Sequence, residues 1–193
     1  ITTTAHKFAL LTATTTSELD LNTAQTLWEI CNTHTSTNTL ISIEKATMLD
    51  NITAQLNEHD AQTFLDNNVP PFFFFLNNDA SFNKLNLASY QLTPPRLLAL
   101  ISRHRAAKLV PQILQVIADN PSTDEQTLHT IAQDALVTED ETILSALARN
   151  PKLPDSIAQK LLEERPNSEI VIVNIAENIS VNPDILDKLS HHD

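Results

Sequence analysis

Apolar residues in the second half of the chain recur every three or four positions, the spacing of one face of an α-helix. Pro111 interrupts this pattern after Val110, so the segment from Ala106 is expected to form a short turn before a new helix or a kinked helix. The pattern predicts a succession of short amphipathic helices. Their apolar stripes are Leu97, Leu100, Ile101; Ile113, Val116, Ile117; Leu128, Ile131, Ala132; Ile143, Leu144, Leu147; Ile157, Leu161, Leu162; and Ile172, Ile175, Ala176.

A short motif, apolar-Ala-x-Asn, ends three of these helical segments. It occurs at 117–120, 147–150 and 175–178, with spacings of thirty and twenty-eight residues, and a fainter copy starts at Leu87, thirty residues before the first. Self-similarity at this period is typical of stacked repeats, each built from a pair of helices. The recurring alanine is expected to let neighbouring repeats approach closely.

Capping residues and prolines in the sequence also mark the ends of the predicted helices. Two capping boxes are predicted, in which a hydroxyl and a carboxylate three residues later satisfy helix-terminal amides. Two more helices are expected to start where a capping side chain precedes proline. Asn-Pro at 120–121 and 150–151 is expected to end one helix and block its continuation. The capping boxes are Ser122 with Glu125 and Thr138 with Glu141, and the Pro-containing starts are Thr93-Pro94 and Asn182-Pro183.

The first half of the chain has helical stripes without a clear period. A run of four phenylalanines follows Pro70-Pro71, where an extended entry predicts a chain reversal. We therefore divide the chain into an N-terminal helical region, 1–86, and a repeat region, 87–193, and leave open whether the first is a separate domain. The N-terminal stripes are Leu21, Ala24, Leu27, Trp28, Cys31 and Ile43, Ala46, Leu49, Ile52, Leu56.

Composition narrows the fold class. The chain has no glycine among 193 residues, whereas average usage is about 7%. Tight β-hairpin turns usually need glycine for positive φ, so an antiparallel sheet is disfavoured and an all-α fold is expected. Glycine-dependent catalytic and phosphate-binding loops are excluded for the same reason.

Charge and cysteine content narrow the function class. A formal charge of −12 disfavours nucleic acid and anionic membranes as partners. The single cysteine excludes a disulfide framework and favours a reducing, cytoplasmic compartment. Histidines are scattered without a metal-ligand spacing, and the acidic clusters fall in the first turns of predicted helices, where capping explains them. We therefore expect no catalytic residues, no cofactor and no metal.

Two clusters are candidate contact sites. The basic cluster stands out in an acidic chain and could bind an anion or an acidic partner, although cations at a solvated helix end are the ordinary alternative. The aromatic run could be an exposed partner contact or a core plug between the two halves. The basic cluster is Arg96, Arg103, His104, Arg105, Lys108, and the aromatic run is Phe72, Phe73, Phe74, Phe75.

The repeat region resembles the leucine-rich repeat variant and HEAT-like α-helical repeat families. The resemblance rests on Asn150-Pro151-Lys152-Leu153-Pro154, the flanking Ala148, Leu161-Leu162 and Ala176, with looser copies at Asn120-Pro121 and Asn182-Pro183. It covers residues 87 to 193 and implies an α-solenoid, a curved stack of helix pairs used for protein contact.

These observations favour a non-enzymatic protein-interaction or scaffold module in a bacterial-type cytoplasm. The alternative is a regulatory module that binds a phosphorylated or nucleotide ligand at the basic cluster. An enzyme is a third possibility, because composite sites assembled from distant loops leave no local motif. The identity of the protein partner and the oligomeric state stay open.

Overall fold

The computed structural model describes residues 19–33, 43–69, 87–88 and 91–189. These ranges contain eleven helices packed against one another and no strand, so the predicted all-α class is confirmed. None of the helices in these ranges has the length and apolar content needed to cross a membrane. The helices are α1 Leu21–Thr33, α2 Ile43–Ala54, α3 Glu58–Asn68, α4 Pro95–Arg103, α5 Arg105–Leu109, α6 Pro111–Asp119, α7 Glu125–Thr138, α8 Glu141–Arg149, α9 Asp155–Glu164, α10 Glu169–Glu177 and α11 Pro183–Leu189.

Helices α1 to α3 form one packed group. The rings of Trp28 and Phe64 meet edge to face with centroids 6.2 Å apart, and the Trp28 indole N–H donates to the carbonyl of Asn68 at 3.0 Å. Leu49 and Ile52 of α2 are fully buried in the same core, so these residues of the predicted stripe face inward. The side chain of Cys31 lies outside the described residues.

The repeat region places its later helices in two rows. The first row is α6, α8 and α10, and the second row is α7, α9 and α11; within each row, consecutive helices pack against each other. Helix pairs α7–α8 and α9–α10 connect the rows. Most residues of the predicted stripes are buried, including Ile113, Leu147 and Ile175. The core therefore runs continuously between the rows.

The two predicted capping boxes are wrong, because they place each helix cap two residues too early in the chain. The cap of α7 is Asp124, whose Oδ1 accepts the Thr127 N–H at 2.7 Å. The cap of α8 is Asp140, which accepts two helix-terminal amides. Ser122 and Thr138 use their hydroxyls elsewhere, on the carbonyls of Gln91 and Asp134. An aspartate two residues closer to each helix satisfies the first-turn amides instead.

The two Pro-containing starts have different outcomes. Helix α11 begins at Pro183, and the Asn182 Oδ1 accepts the Asp184 N–H at 2.9 Å, as predicted. Helix α4 begins one residue later than expected, at Pro95, with no side-chain cap. The Thr93 hydroxyl instead donates to the carbonyl of Leu87 at 2.7 Å.

The segment before Pro111 is a separate short helix, α5. By the thirty-residue offset between Thr93 and Thr123, helices α4 and α5 together correspond to the single helix α7. The break falls at His104, whose counterpart Asp134 continues α7 without interruption. Helix α4 also packs against α2 and α3, so the helices on both sides of the predicted 86/87 division touch, and that division stays a prediction.

Candidate functional site

Three asparagines form a ladder along the first row. The Asn120 side-chain amide donates to the carbonyl of Ala88 at 2.7 Å. The Asn150 amide donates to the carbonyls of Ala118 and Asn120, at 2.6 and 3.0 Å. Each of these side chains therefore binds the backbone of the repeat before it.

The ladder continues at the next repeat with the same geometry. The Asn178 amide donates to the carbonyls of Ala148 and Asn150, both at 2.8 Å. Each ladder asparagine also accepts, on Oδ1, the N–H of the residue two positions later, which fixes the connector that follows its helix. The predicted role of Asn120 and Asn150 as helix ends is confirmed, and the ladder is a second role of the same side chains.

The ladder asparagines are buried, and Asn150 is fully so. Four of the carbonyls they bind, those of Ala118, Asn120, Ala148 and Asn150, lie at helix C-termini, where no intrahelical donor is available. A buried carbonyl left without a donor costs about 1 to 3 kcal/mol. The ladder therefore makes each repeat energetically dependent on the one that precedes it.

The alanine of the motif shows what covers each repeat. Ala118 and Ala148 are fully buried, whereas Ala176, at the same position of the last copy, is exposed. Ala118 and Ala148 each precede a further first-row helix, and none follows Ala176 within the described residues. The first two copies are buried as the predicted packing role requires, whereas Ala176 has no following first-row helix among the described residues and does not test that role.

Two polar contacts also join consecutive helices of the first row. The Arg149 Nε lies 3.2 Å from the Asp119 carboxylate, one repeat earlier. The Asn174 amide donates to the Ser145 hydroxyl at 2.8 Å. Ser145 is only 3% exposed, although a serine is usually a surface residue. These contacts repeat the spacing of the ladder on the neighbouring side chains.

The following face of helix α10 is apolar and uncovered by described residues. Val173, the counterpart of the buried Ser145, is 44% exposed, and Ile179, just after the helix, is 100% exposed. No side-chain amide of the described chain reaches the carbonyls of Ala176 and Asn178, the next acceptor pair of the ladder. The Asn178 carbonyl accepts the Val181 N–H at 3.2 Å, just as the Asn120 and Asn150 carbonyls accept the N–H three residues later, so within the described residues this step lacks only the side-chain amide.

Two arginines of the basic cluster bind groups at the ends of the N-terminal helices. Arg96 donates to the carbonyls of Thr53 and Leu56 at the end of α2, where a cation also complements the helix dipole. Burial raises the pKa of the nearby Asp50 carboxyl, and the Arg96 charge opposes that rise. Arg103 pairs with Glu58 at the start of α3. Both arginines therefore fasten α4 to the N-terminal helices.

His104 is a buried junction residue and has no exposed surface. Its Nδ1 accepts the Ala106 N–H at 3.0 Å, which caps α5, and its Nε2 lies 3.3 Å from the Leu65 carbonyl. These partners require a neutral ring with the proton on Nε2. Burial lowers the pKa of His104, while the Asp66 carboxylate, 3.4 Å away, opposes that shift.

Arg96, Arg103, Arg105 and Lys108 are all exposed, but Arg96 and Arg103 have partners on the N-terminal helices. Arg105 and Lys108 are exposed and three residues apart on α5, so they share one side of that helix. The Arg105 backbone N–H donates to the Asp66 carboxylate at 3.1 Å. Of the predicted five-residue cluster, Arg105 and Lys108 are thus the exposed cations whose side chains are not held by α2 or α3.

The remaining predicted features give little chemistry. The aromatic run Phe72 to Phe75 lies outside the described residues. Among the residues that are described, no group of three or more histidine, cysteine or acidic side chains is placed to hold a metal ion. A cleft beside α6 contains one titratable residue, Asp119, which is already paired with Arg149.

Comparison of the chain with models of protein families, with curated proteins and with solved structures finds no match. The family resemblance carried by residues 87 to 193 therefore stays a prediction.

Proposed function

We propose that the chain is a non-enzymatic protein-interaction module of a bacterial-type cytoplasm, built as an α-solenoid. The observation that carries this proposal is the asparagine ladder, because it relates successive repeats by translation along the first row. Translational stacking yields an extended surface rather than a closed core, and proteins of this architecture bind partners on such surfaces. Fold alone does not imply function, so the surface itself must be tested.

The shape of the stack supports the first row as the binding side. Helices α6, α8 and α10 contact one another more extensively than α7, α9 and α11 do. Closer spacing on one side bends a stack toward that side, so the first row lines the concave surface. Among the exposed positions of this row, Gln112, Thr142 and Ile170 are equivalent in the three repeats. These side chains form a solvent-facing line across three repeats.

Site-specific photocrosslinking, in cells of the organism that makes the protein, tests whether the first row is the binding side. A photoreactive amino acid is placed at Thr142 on the first row, and in a matched variant at Gln159, an exposed position of α9 on the second row. We expect a discrete crosslinked protein from position 142 and a much weaker product from position 159. Equal crosslinking from both rows, or none from position 142, would contradict the proposal.

The alternative function, binding of a phosphorylated or nucleotide ligand, now depends on Arg105 and Lys108. Their exposure supports it, whereas the internal partners of Arg96, Arg103 and His104 count against a larger site. Calorimetry with nucleotides and phosphopeptides on wild type and on an Arg105→Ala, Lys108→Ala variant tests it without disturbing the junction. Binding by the wild type that the variant loses would favour this function over the scaffold.

A further inference from the structure

The break between α4 and α5 lies in a stretch whose boundaries match those of the continuous helix α7. Helix α4 begins at Pro95 and α6 at Pro111. Thirty residues later, α7 begins at Glu125 and α8 at Glu141. The same number of residues thus separates the two helix starts in both repeats. A single helix through residues 95–108 therefore needs no insertion or deletion.

The local sequence also favours a single helix. Residues 96–109 contain neither glycine nor proline, and leucine, alanine and arginine, all strong helix formers, make up most of them. His104 nevertheless has an extended backbone, with ψ 140°. Contacts with other helices, rather than the residues of this stretch, therefore impose the break.

The contacts that hold the break come from α3 and from His104 itself. The ring Nε2 of His104 lies 3.3 Å from the Leu65 carbonyl. The Arg105 N–H donates to the Asp66 carboxylate, and the Ala106 N–H donates to the ring Nδ1. In an uninterrupted helix, both amides would donate to carbonyls four positions earlier instead. Neither amide loses its hydrogen bond in either form, so docking against α3 decides between the two forms.

Burial shows how the two forms differ at this position. His104 is fully buried, whereas its counterpart Asp134 in α7 is exposed. The same contrast occurs three residues later, where Ala107 is fully buried and Val137 is 84% exposed. Closing the break would therefore turn the His104 ring toward solvent and withdraw it from α3.

We propose that residues 95–109 form a two-state joint, broken at His104 while they are docked against α3 and continuous as one helix when that contact is released. The continuous form gives the first helix pair of the repeat region the same helix lengths as α7 and α8. Docking of the N-terminal helices thereby controls the geometry at the start of the stack, because a contact present in only one form biases the population of both.

Protonation of His104 is one way to shift this joint. A proton on Nδ1 removes the acceptor of the Ala106 N–H, and a charged ring is more stable in water than in a buried site. Burial lowers the pKa of His104, the Asp66 carboxylate of α3 opposes that shift, and the Arg105 charge of α5 adds to it. Of the nearby charges on α4, Arg103 is already paired with Glu58 of α3. Acid therefore favours the form in which the ring is exposed.

Backbone NMR of the full ¹³C,¹⁵N-labelled chain tests the joint, because Cα chemical shifts and sequential amide NOEs distinguish helical from extended residues. In the wild type at neutral pH, we expect residue 104 to be extended. His104→Ala removes both ring contacts, so residues 102–106 should gain helical shifts and an unbroken series of amide NOEs. His129→Ala, at a partly exposed histidine of α7, is the matched control and should leave the break in place.

Acid titration of the wild type tests the same joint without a substitution. As the His104 ring signals report protonation, we expect residue 104 to move from extended to helical shifts, together with changes at the amides of residues 65 and 66. His104→Asn can still accept the Ala106 N–H but does not titrate in this range. This variant should therefore stay broken from pH 7 to pH 5.

An extended residue 104 in folded His104→Ala would overturn the proposal. Protonation of the wild-type ring without a gain of helical shifts at 102–106, whether the segment stays broken or unfolds, would overturn it equally. If His104→Ala does not fold, the titration of the wild type decides.

Discussion

The side-chain amide of Asn150 donates to the backbone carbonyl of Asn120 at 3.0 Å, across thirty residues of sequence. The Asn150 side chain thus has two structural roles. Its Oδ1 fixes the connector after its own helix, and its amide fixes the distance to the preceding repeat. Helix termination and repeat stacking are therefore coupled through a single residue type.

The ladder should make a large contribution to stability. Asn150→Ala removes the donor to two buried carbonyls and the acceptor of the Lys152 N–H, so we expect a loss of about 3 kcal/mol. Urea unfolding followed by circular dichroism measures it. Asn67→Ala, at an exposed asparagine of α3, is the control and should change the free energy of unfolding by less than about 0.5 kcal/mol. Equal effects at the two positions would contradict a structural role for the ladder.

The two outcomes for the motif alanine offer a steric test. Ala148→Leu places three extra carbons where α10 packs, and we expect it to destabilise the protein by about 1 to 3 kcal/mol. Ala176→Leu makes the same chemical change at the exposed copy and should be close to neutral. Thermal unfolding of the pair measures the contrast. If Ala176→Leu destabilised the protein as much as Ala148→Leu, translational stacking would be contradicted.

His104 should make stability depend on pH below neutrality. Because burial lowers its pKa in the folded protein, the unfolded chain binds its proton first, at about pH 6.5. The free energy of unfolding therefore falls as the pH drops from about 6.5 toward the folded-state pKa, and levels off below it. Protonation would also remove the Nδ1 acceptor that caps α5.

His104→Asn separates these effects, because its side-chain oxygen can still accept the Ala106 N–H but does not titrate in this range. We expect the variant to have a shallower dependence of stability on pH between 7 and 5 than the wild type, as measured by urea unfolding at several pH values. Parallel curves for the two proteins would exclude His104 as the source.

Glu139 adopts a left-handed backbone conformation, with φ 57°, at the end of α7. A residue with a Cβ pays about 1 to 2 kcal/mol there, which glycine avoids. Glu139→Gly should therefore raise the free energy of unfolding by about 1 kcal/mol. Glu139→Ala keeps the strain and removes the same contact to Arg165, 3.8 Å away, so it controls for that contact and should not stabilise the protein.

The sequence predicted the helices better than the contacts between them. Periodic leucine and isoleucine positions identify the helices, because burial of one face requires them. The sequence did not predict the ladder, because Asn-Pro already explains a helix end. Its signal is the recurrence of asparagine at 120, 150 and 178, since a mere terminator could vary and Asn178 precedes isoleucine rather than proline.

The basic cluster shows what spacing cannot reveal. Arg96 and Arg103 find their partners about forty residues earlier in the chain, on α2 and α3. Local sequence records that these cations are close to one another, but it does not record which helix packs beside them. The break at His104 has the same origin, because it depends on contact with Leu65 rather than on a helix-breaking residue.

The ladder forms the same hydrogen bond between consecutive asparagines whether thirty or twenty-eight residues separate them. Helix α9 has 10 residues against 14 in α7, and the connector after it, 165–168, is two residues longer than 139–140, so the second row and its connector account for the difference. Length changes in that row leave the hydrogen-bonded step intact, so insertions and deletions there are tolerated while the first row keeps its pitch. The first row thus sets the spacing between repeats, whereas the second row can vary in length.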